Sequence, residues 1–155
     1  MTKEEKQLLL IELCARLPYG VIVDYKENEF ETPHWKITTI YPKTLDGWIG
    51  YDKRVGAGSE SGSRPFKIGE VKPYLRPMST MTEEEVKEIR KINWQFWKPK
   101  NDSDECFVGD ADDGYCSVSQ MARIINYLNA HHFDYRGLIP MGLAVEAPEN
   151  MYKNN

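Results

Sequence analysis

The sequence predicts an α+β fold. A small curled antiparallel sheet, or an SH3-like or OB-like barrel, spans residues 20–76 and packs with an N-terminal helix and two later helices. Three observations point there. Apolar residues recur every three to four positions in 1–18, in 82–97 and again from 117, which is the period of a helix with one buried stripe. Between 20 and 76 the period falls to two. Each helical stretch opens with a hydroxyl residue followed three positions later by Glu or Gln: Thr2/Glu5, Thr82/Glu85 and Ser117/Gln120. That spacing lets two side chains satisfy each other's orphan backbone N–H groups.

The 155 residues form a single domain, 1–155, large enough to bury a core without disulfides or metal. Its parts are an N-terminal helix (1–18), a β-meander or small barrel (20–76), a helix (82–97), an acidic loop (98–116), a helix (117–135) and a tail with a short strand (138–155). In the first helix Leu9, Leu10, Leu13, Cys14 and Leu17 make a wide apolar face, which Pro18 terminates. The strands are read from the alternations Val21/Val23/Tyr25, Trp35/Ile37/Thr39/Tyr41, Ile49/Tyr51 and Phe66/Ile68/Glu70, with Val71–Leu75 following the last. Gly47 and Gly50 mark the third as the site of a bulge or close backbone approach. Arg54–Pro65, rich in Gly and Ser, reads as a flexible hairpin tip; it lacks the Gly-Lys-Ser/Thr ending of a phosphate loop. Val86, Ile89, Ile92 and Phe96 supply the buried face of the second helix and leave Trp94 and Trp97 at other angles. In the third, Val118, Met121, Ile125, Leu128 and His132 form the buried stripe, and Gly137 suits the left-handed residue that ends it.

The net charge of −4 is unevenly spread: −3 over 1–33, +4 over 34–77, zero over 78–98 and −5 over 99–155. An acidic chain is a poor general nucleic-acid binder, yet the +4 segment is also aromatic. Lys36, Lys53, Arg54, Arg64, Lys67 and Lys72 are candidate phosphate contacts, and Trp35, Trp48 and Tyr51 candidate stacking platforms. A second candidate cluster is His131, Asp134, Tyr135 and Arg136, where imidazole, carboxylate and guanidinium crowd a helix end. His131 and His132 point about 100° apart and do not share a metal easily.

No catalytic residue, metal site or cofactor is expected. Asn101–Gly114 carries six acids but fails the spacing of a calcium loop, Cys14, Cys106 and Cys116 contain no zinc knuckle, and no nucleophile elbow, HExxH or dinucleotide fingerprint occurs. The odd cysteine count, the charged amphipathic N-terminus and the lack of a membrane-length apolar run indicate a reduced, cytoplasmic protein.

KPYLRPMSTMTEEE (72–85) and YLNAHHFDYRGLIPMGLAVEAPENMY (127–152) resemble segments of a family of short proteins encoded in phages, prophages and mobile elements of gut Bacteroidales. LLLIELCARLPYGVIVD resembles it more loosely, and 101–115 lies outside the resemblance. It implies a mobile-element origin and a bacterial cytoplasm, and it transfers no catalytic residue. The function expected is a non-enzymatic interaction module recognising a protein partner, with nucleic-acid binding by 34–77 as the alternative. A ligand-binding or enzymatic use of His131 and His132 is a weaker third reading.

Overall fold

The computed structural model describes residues 1–25, 34–40, 48–53, 60–65, 68–98, 107–108 and 116–152; within 34–65 it describes side chains at Trp35, Lys36, Ile37 and Ile40 only. The fold is α+β. The chain forms two compact units, Met1–Tyr74 with Pro140–Val145, and Leu75–Ile139 with Glu146–Asn155.

In the first unit Thr2 and Glu5 close the expected capping box at the start of α1 (Lys3–Arg16). Leu9 and Leu13 are buried as their spacing requires, but Cys14, expected in the core, is exposed. The positions one turn apart that share the buried face are instead Glu12 and Arg16, both with 0% exposure. The Arg16 Nε donates to Glu12 Oε1 at 2.7 Å and Nη2 donates to the same oxygen, so a charged pair is enclosed where apolar residues were expected. Leu17–Tyr19 forms a 3-10 turn, and Gly20 ends it at φ 73°. A Cβ on Gly20 would lie 2.6 Å from Lys36 Cε, a movable side-chain end, so backbone strain is the main penalty of substitution. Gly20→Ala is expected to lower stability by about 1–2 kcal/mol in urea unfolding.

The sheet begins with β1 (Ile22–Asp24), β2 (His34–Ile40), β3 (Trp48–Lys53) and β4 (Glu60–Pro65), each paired antiparallel with the next. The first three of these are strands of the predicted meander, and the fourth is not. The register between β2 and β3 shifts between Ile37 and Thr39, where Thr39 faces Gly50, so the bulge lies on the strand opposite that glycine. Glu60–Pro65, expected in a flexible tip, is a strand, and Ile68–Glu70, expected in one, is a 3-10 turn. Serine and glycine have weak strand preference, so pairing with β3 rather than intrinsic propensity holds β4.

β5 (Lys72–Leu75) adds beside β1, and the two-residue β8 (Val145–Glu146) lies next to β5, giving the order β4-β3-β2-β1-β5-β8. The expected barrel is therefore corrected to an open sheet. Closure needs the outer strands to meet, and β5 extends the sheet on the side away from β4. Ile22, Val23, Trp35, Ile37, Val71 and Tyr74 are buried in this unit.

In the second unit α2 (Glu83–Arg90) starts at the Thr82/Glu85 capping box but stops earlier than the expected residue 97. Asn93 explains the stop. Its N–H donates to Ile89 O at 3.0 Å, while its Oδ1 accepts the Gln95 N–H at 2.9 Å, a side-chain bond that competes with helical pairing. β6 (Phe96–Trp97) then pairs with β7 (Phe107–Val108), which interrupts the stretch read as an acidic loop.

α3 (Val118–Ala130) also ends short of the expected 135, because His132 takes the left-handed backbone at φ 58°. Its buried face is Ile124, Leu128 and Asn129; Val118 and Met121 of the expected stripe are exposed, and Ile125 is only half-buried. The core of this unit gathers Met78, Met81, Val86, Ile89, Phe96, Ile124, Leu128 and Phe133. Among the described residues no helix is long and apolar enough to cross a membrane.

Candidate functional site

Arg76 is the residue that joins the elements of the second unit. Its N–H donates to His132 O and its carbonyl accepts the Asp134 N–H, both at 2.8 Å, so the segment after α3 runs beside it as a parallel bridge at Phe133. Its guanidinium lies 4.2 Å from the Phe133 ring centroid and grips Glu85 through both oxygens, Nη1 to Oε1 at 2.7 Å and Nη2 to Oε2 at 3.1 Å. Glu85 is at the same time the capping residue of α2, its Oε2 accepting the Thr82 N–H at 2.8 Å. His131 Nδ1 stands 3.7 Å from Glu85 Oε1, and its ring stacks on Tyr127 with centroids 4.2 Å apart.

These contacts set the protonation states. Burial acts to raise the Glu85 pKa, but the Arg76 hydrogen bonds, the Thr82 N–H and the charges of Arg76 and His131 outweigh it and hold the carboxyl below its usual range. Burial lowers the His131 pKa; Glu85 opposes this, Arg76 adds to it, and the result is below the ordinary imidazole value. The Tyr127 hydroxyl is pushed up by burial and by Glu85 and Glu88, against Arg76. At neutral pH the cluster therefore holds a salt bridge beside a neutral imidazole.

The other members of the predicted cluster separate into distinct roles. Asp134 is buried, and its two oxygens accept the Leu138 and Ile139 N–H groups at 2.8 and 2.7 Å. It shapes the turn from within. Asp134→Ala is expected to lose about 2–3 kcal/mol of stability by taking the acceptor from one buried and one half-buried N–H group, measurable as a shifted urea midpoint. Arg136 lies at the surface with its guanidinium carbon 5.2 Å from the Tyr135 ring centroid. His132 is buried as expected, but past the end of α3 rather than on its stripe, and it stacks on Tyr152 with centroids 3.7 Å apart. Arg76 and Glu85 were missed because they stand nine positions apart, and Glu85 already had a sufficient local reason to be there as the cap.

A second feature lies at the opposite end of α2. Asn93 is buried, its carbonyl accepts the Phe96 N–H at 3.2 Å, and Phe96 is fully buried, so the four-residue turn 93–96 is anchored at both ends. Between these anchors Trp94 is 78% exposed, and Trp97 one step beyond is 65% exposed. Arg90 crosses the base of the turn, its Nε donating to Phe96 O at 3.1 Å and its guanidinium carbon 6.0 Å from the Trp97 ring centroid. Gln120 Nε2 donates to Ile92 O at 3.0 Å, which ties the first turn of α3, with exposed Val118 and Met121, to the start of this corner.

The basic, aromatic segment fares differently. Trp35 is buried, with its ring edge-on to Tyr25 at 6.0 Å, and offers no face for a base to stack on. Trp48, Tyr51 and Lys53 fall on β3 and Arg64 on β4, but their side chains lie outside the described residues, as do Arg54 and Lys67 altogether. Among the described residues no group of three His, Cys, Asp or Glu is placed to hold a metal.

No protein-family model, no curated protein and no solved structure matches this chain. The candidate sites therefore stand on their geometry.

Proposed function

We propose that the protein is a non-enzymatic interaction module that binds a protein partner through the Trp94 corner. The observation that carries this reading is the exposure of Trp94 on a turn whose flanking residues, Asn93 and Phe96, are buried. A tryptophan held in water contributes little to folding, whereas large aromatics are the residues that dominate binding energy once an interface covers them. Rigid presentation adds to this, because less conformational freedom is lost on docking. The resemblance to proteins of Bacteroidales mobile elements favours an accessory protein acting in the cytoplasm of a bacterial host.

The Arg76–Glu85–His131 cluster is better read as a joint than as an active centre. The guanidinium and carboxylate satisfy each other, which leaves His131 with neither a strong base nor a nucleophile in register.

The test is affinity purification from a Bacteroidales lysate with wild-type protein and Trp94→Ser in parallel. A protein retained by the wild type and lost with Trp94→Ser supports the reading. Equal retention by both, or retention by neither, refutes it. The exposed position of Trp94 leaves the fold of the variant intact, which circular dichroism checks.

A further inference from the structure

The charges around Trp94 specify what kind of partner segment fits there, an inference that rests on the corner being a binding surface. Residues 87–98 contain four basic side chains, Lys87, Arg90, Lys91 and Lys98, against one acid, Glu88, in a chain whose total charge is −4. Lys87, Arg90 and Lys91 follow one another at spacings of three and one, which brings them to one side of α2 at its C-terminal end, and Trp94 stands on the turn that follows. All four are exposed.

Two of the basic groups are already engaged: Lys91 Nζ contacts Glu88 Oε1 at 2.5 Å, and Lys98 Nζ donates to Met81 O at 2.7 Å. Arg90 is different. Among the described residues its contacts are the Nε bond to a backbone carbonyl and the position beside Trp97, and it makes no ion pair there. A guanidinium oriented by one bond and flanked by an aromatic ring has its terminal nitrogens arranged for a carboxylate. The three acids of the first turn, Glu83–Glu85, lie at the other end of α2.

We infer that the Trp94 corner binds an acidic segment of a protein partner, in which an apolar side chain covers Trp94 and a neighbouring Asp or Glu pairs with Arg90. The surface thus pairs an apolar anchor with a charge that sets orientation and on-rate. An anionic segment also complements Lys87 and Lys91 along the helix.

Selection of random dodecapeptides displayed on phage against the immobilised full chain tests this, followed by fluorescence anisotropy of the enriched sequences made as labelled peptides. Enrichment of peptides with two or more Asp or Glu flanking a large apolar residue is expected. Their Kd should rise at least tenfold with Trp94→Ser and about fivefold with Arg90→Gln, and should rise with salt. A labelled oligothymidylate run in the same assay should not bind; Trp94-dependent binding of it, without acidic peptides, would reassign the corner to single-stranded nucleic acid and overturn the inference. Enriched peptides that need Trp94 but carry no acids overturn the acidic specificity and leave the interaction module standing. Peptides that bind Trp94→Ser as well as wild type, or no enrichment at all, remove support from both.

Discussion

Arg16→Met is expected to destabilise the first unit by about 3–5 kcal/mol, because it removes the guanidinium that donates to the enclosed Glu12 carboxylate. Both side chains have 0% exposure, and the two Arg16 donors converge on one carboxylate oxygen. A loss of that size is a large part of the stability of an ordinary domain, about 5–15 kcal/mol. The double variant Glu12→Met/Arg16→Met separates the causes. If removal of a charge partner is responsible, the double variant recovers most of the loss, since a buried ion pair replaced by apolar residues of similar volume is often neutral or stabilising. Urea unfolding followed by far-ultraviolet circular dichroism gives both values. A single variant within about 1 kcal/mol of wild type would mean that water reaches Glu12 and that the enclosed pair is not maintained in solution.

Acidification is expected to loosen the second unit through the Arg76–Glu85–His131 cluster, with the sign fixed by two lowered pKa values. His131 titrates below the ordinary imidazole value of about 6.5. The unfolded chain therefore takes up that proton first, and stability declines as pH falls below this value, until the folded form is protonated too. Glu85 is also lowered, so its contribution is complete above the ordinary carboxyl range and is lost as pH falls through the folded value. Both effects act in the same direction. Arg76→Ala should lose about 2 kcal/mol at pH 7, from the paired hydrogen bonds and the cover over Phe133, with the partial exposure of the pair keeping the loss moderate. Glu85→Gln keeps a capping residue at the third helical position but removes the carboxylate. Its unfolding midpoint should be lower than wild type at pH 7 and should change less between pH 5 and pH 3. A wild-type midpoint that is level from pH 7 to pH 3 would count against the cluster as a stabilising joint.

The legible part of this molecule is the part written in short-range signals. Thr2, Thr82 and Ser117 each pair with a residue three positions on, and all three capping boxes form. The alternation in 20–53 produces the meander, since one face of each strand has to leave water. His131 and Arg136 stand out in sequence because polar groups crowd a helix end, and the structure brings His131 alone into the charged joint.

What a neighbour far along the chain decides was not legible there. The Ser- and Gly-rich strand Glu60–Pro65 exists through its partner β3 rather than through its own residues. Glu12 and Arg16 look like ordinary surface charges until tertiary packing encloses them together. Arg76 and Glu85 become one group only when Arg76, α2 and the segment after α3 meet. Trp94 and Trp97 show the same limit from the opposite side: their spacing says that they leave the helical stripe, but their exposure depends on the turn that Asn93 and Phe96 anchor. By itself, then, the sequence determined the fold class, the helix starts and the order of the first strands, because capping and hydrophobic period act over a few residues. The tertiary structure alone decided the open sheet, the enclosed Glu12–Arg16 pair, the Arg76 joint and the outward face of Trp94, because burial and pairing between distant segments are properties of the assembled chain.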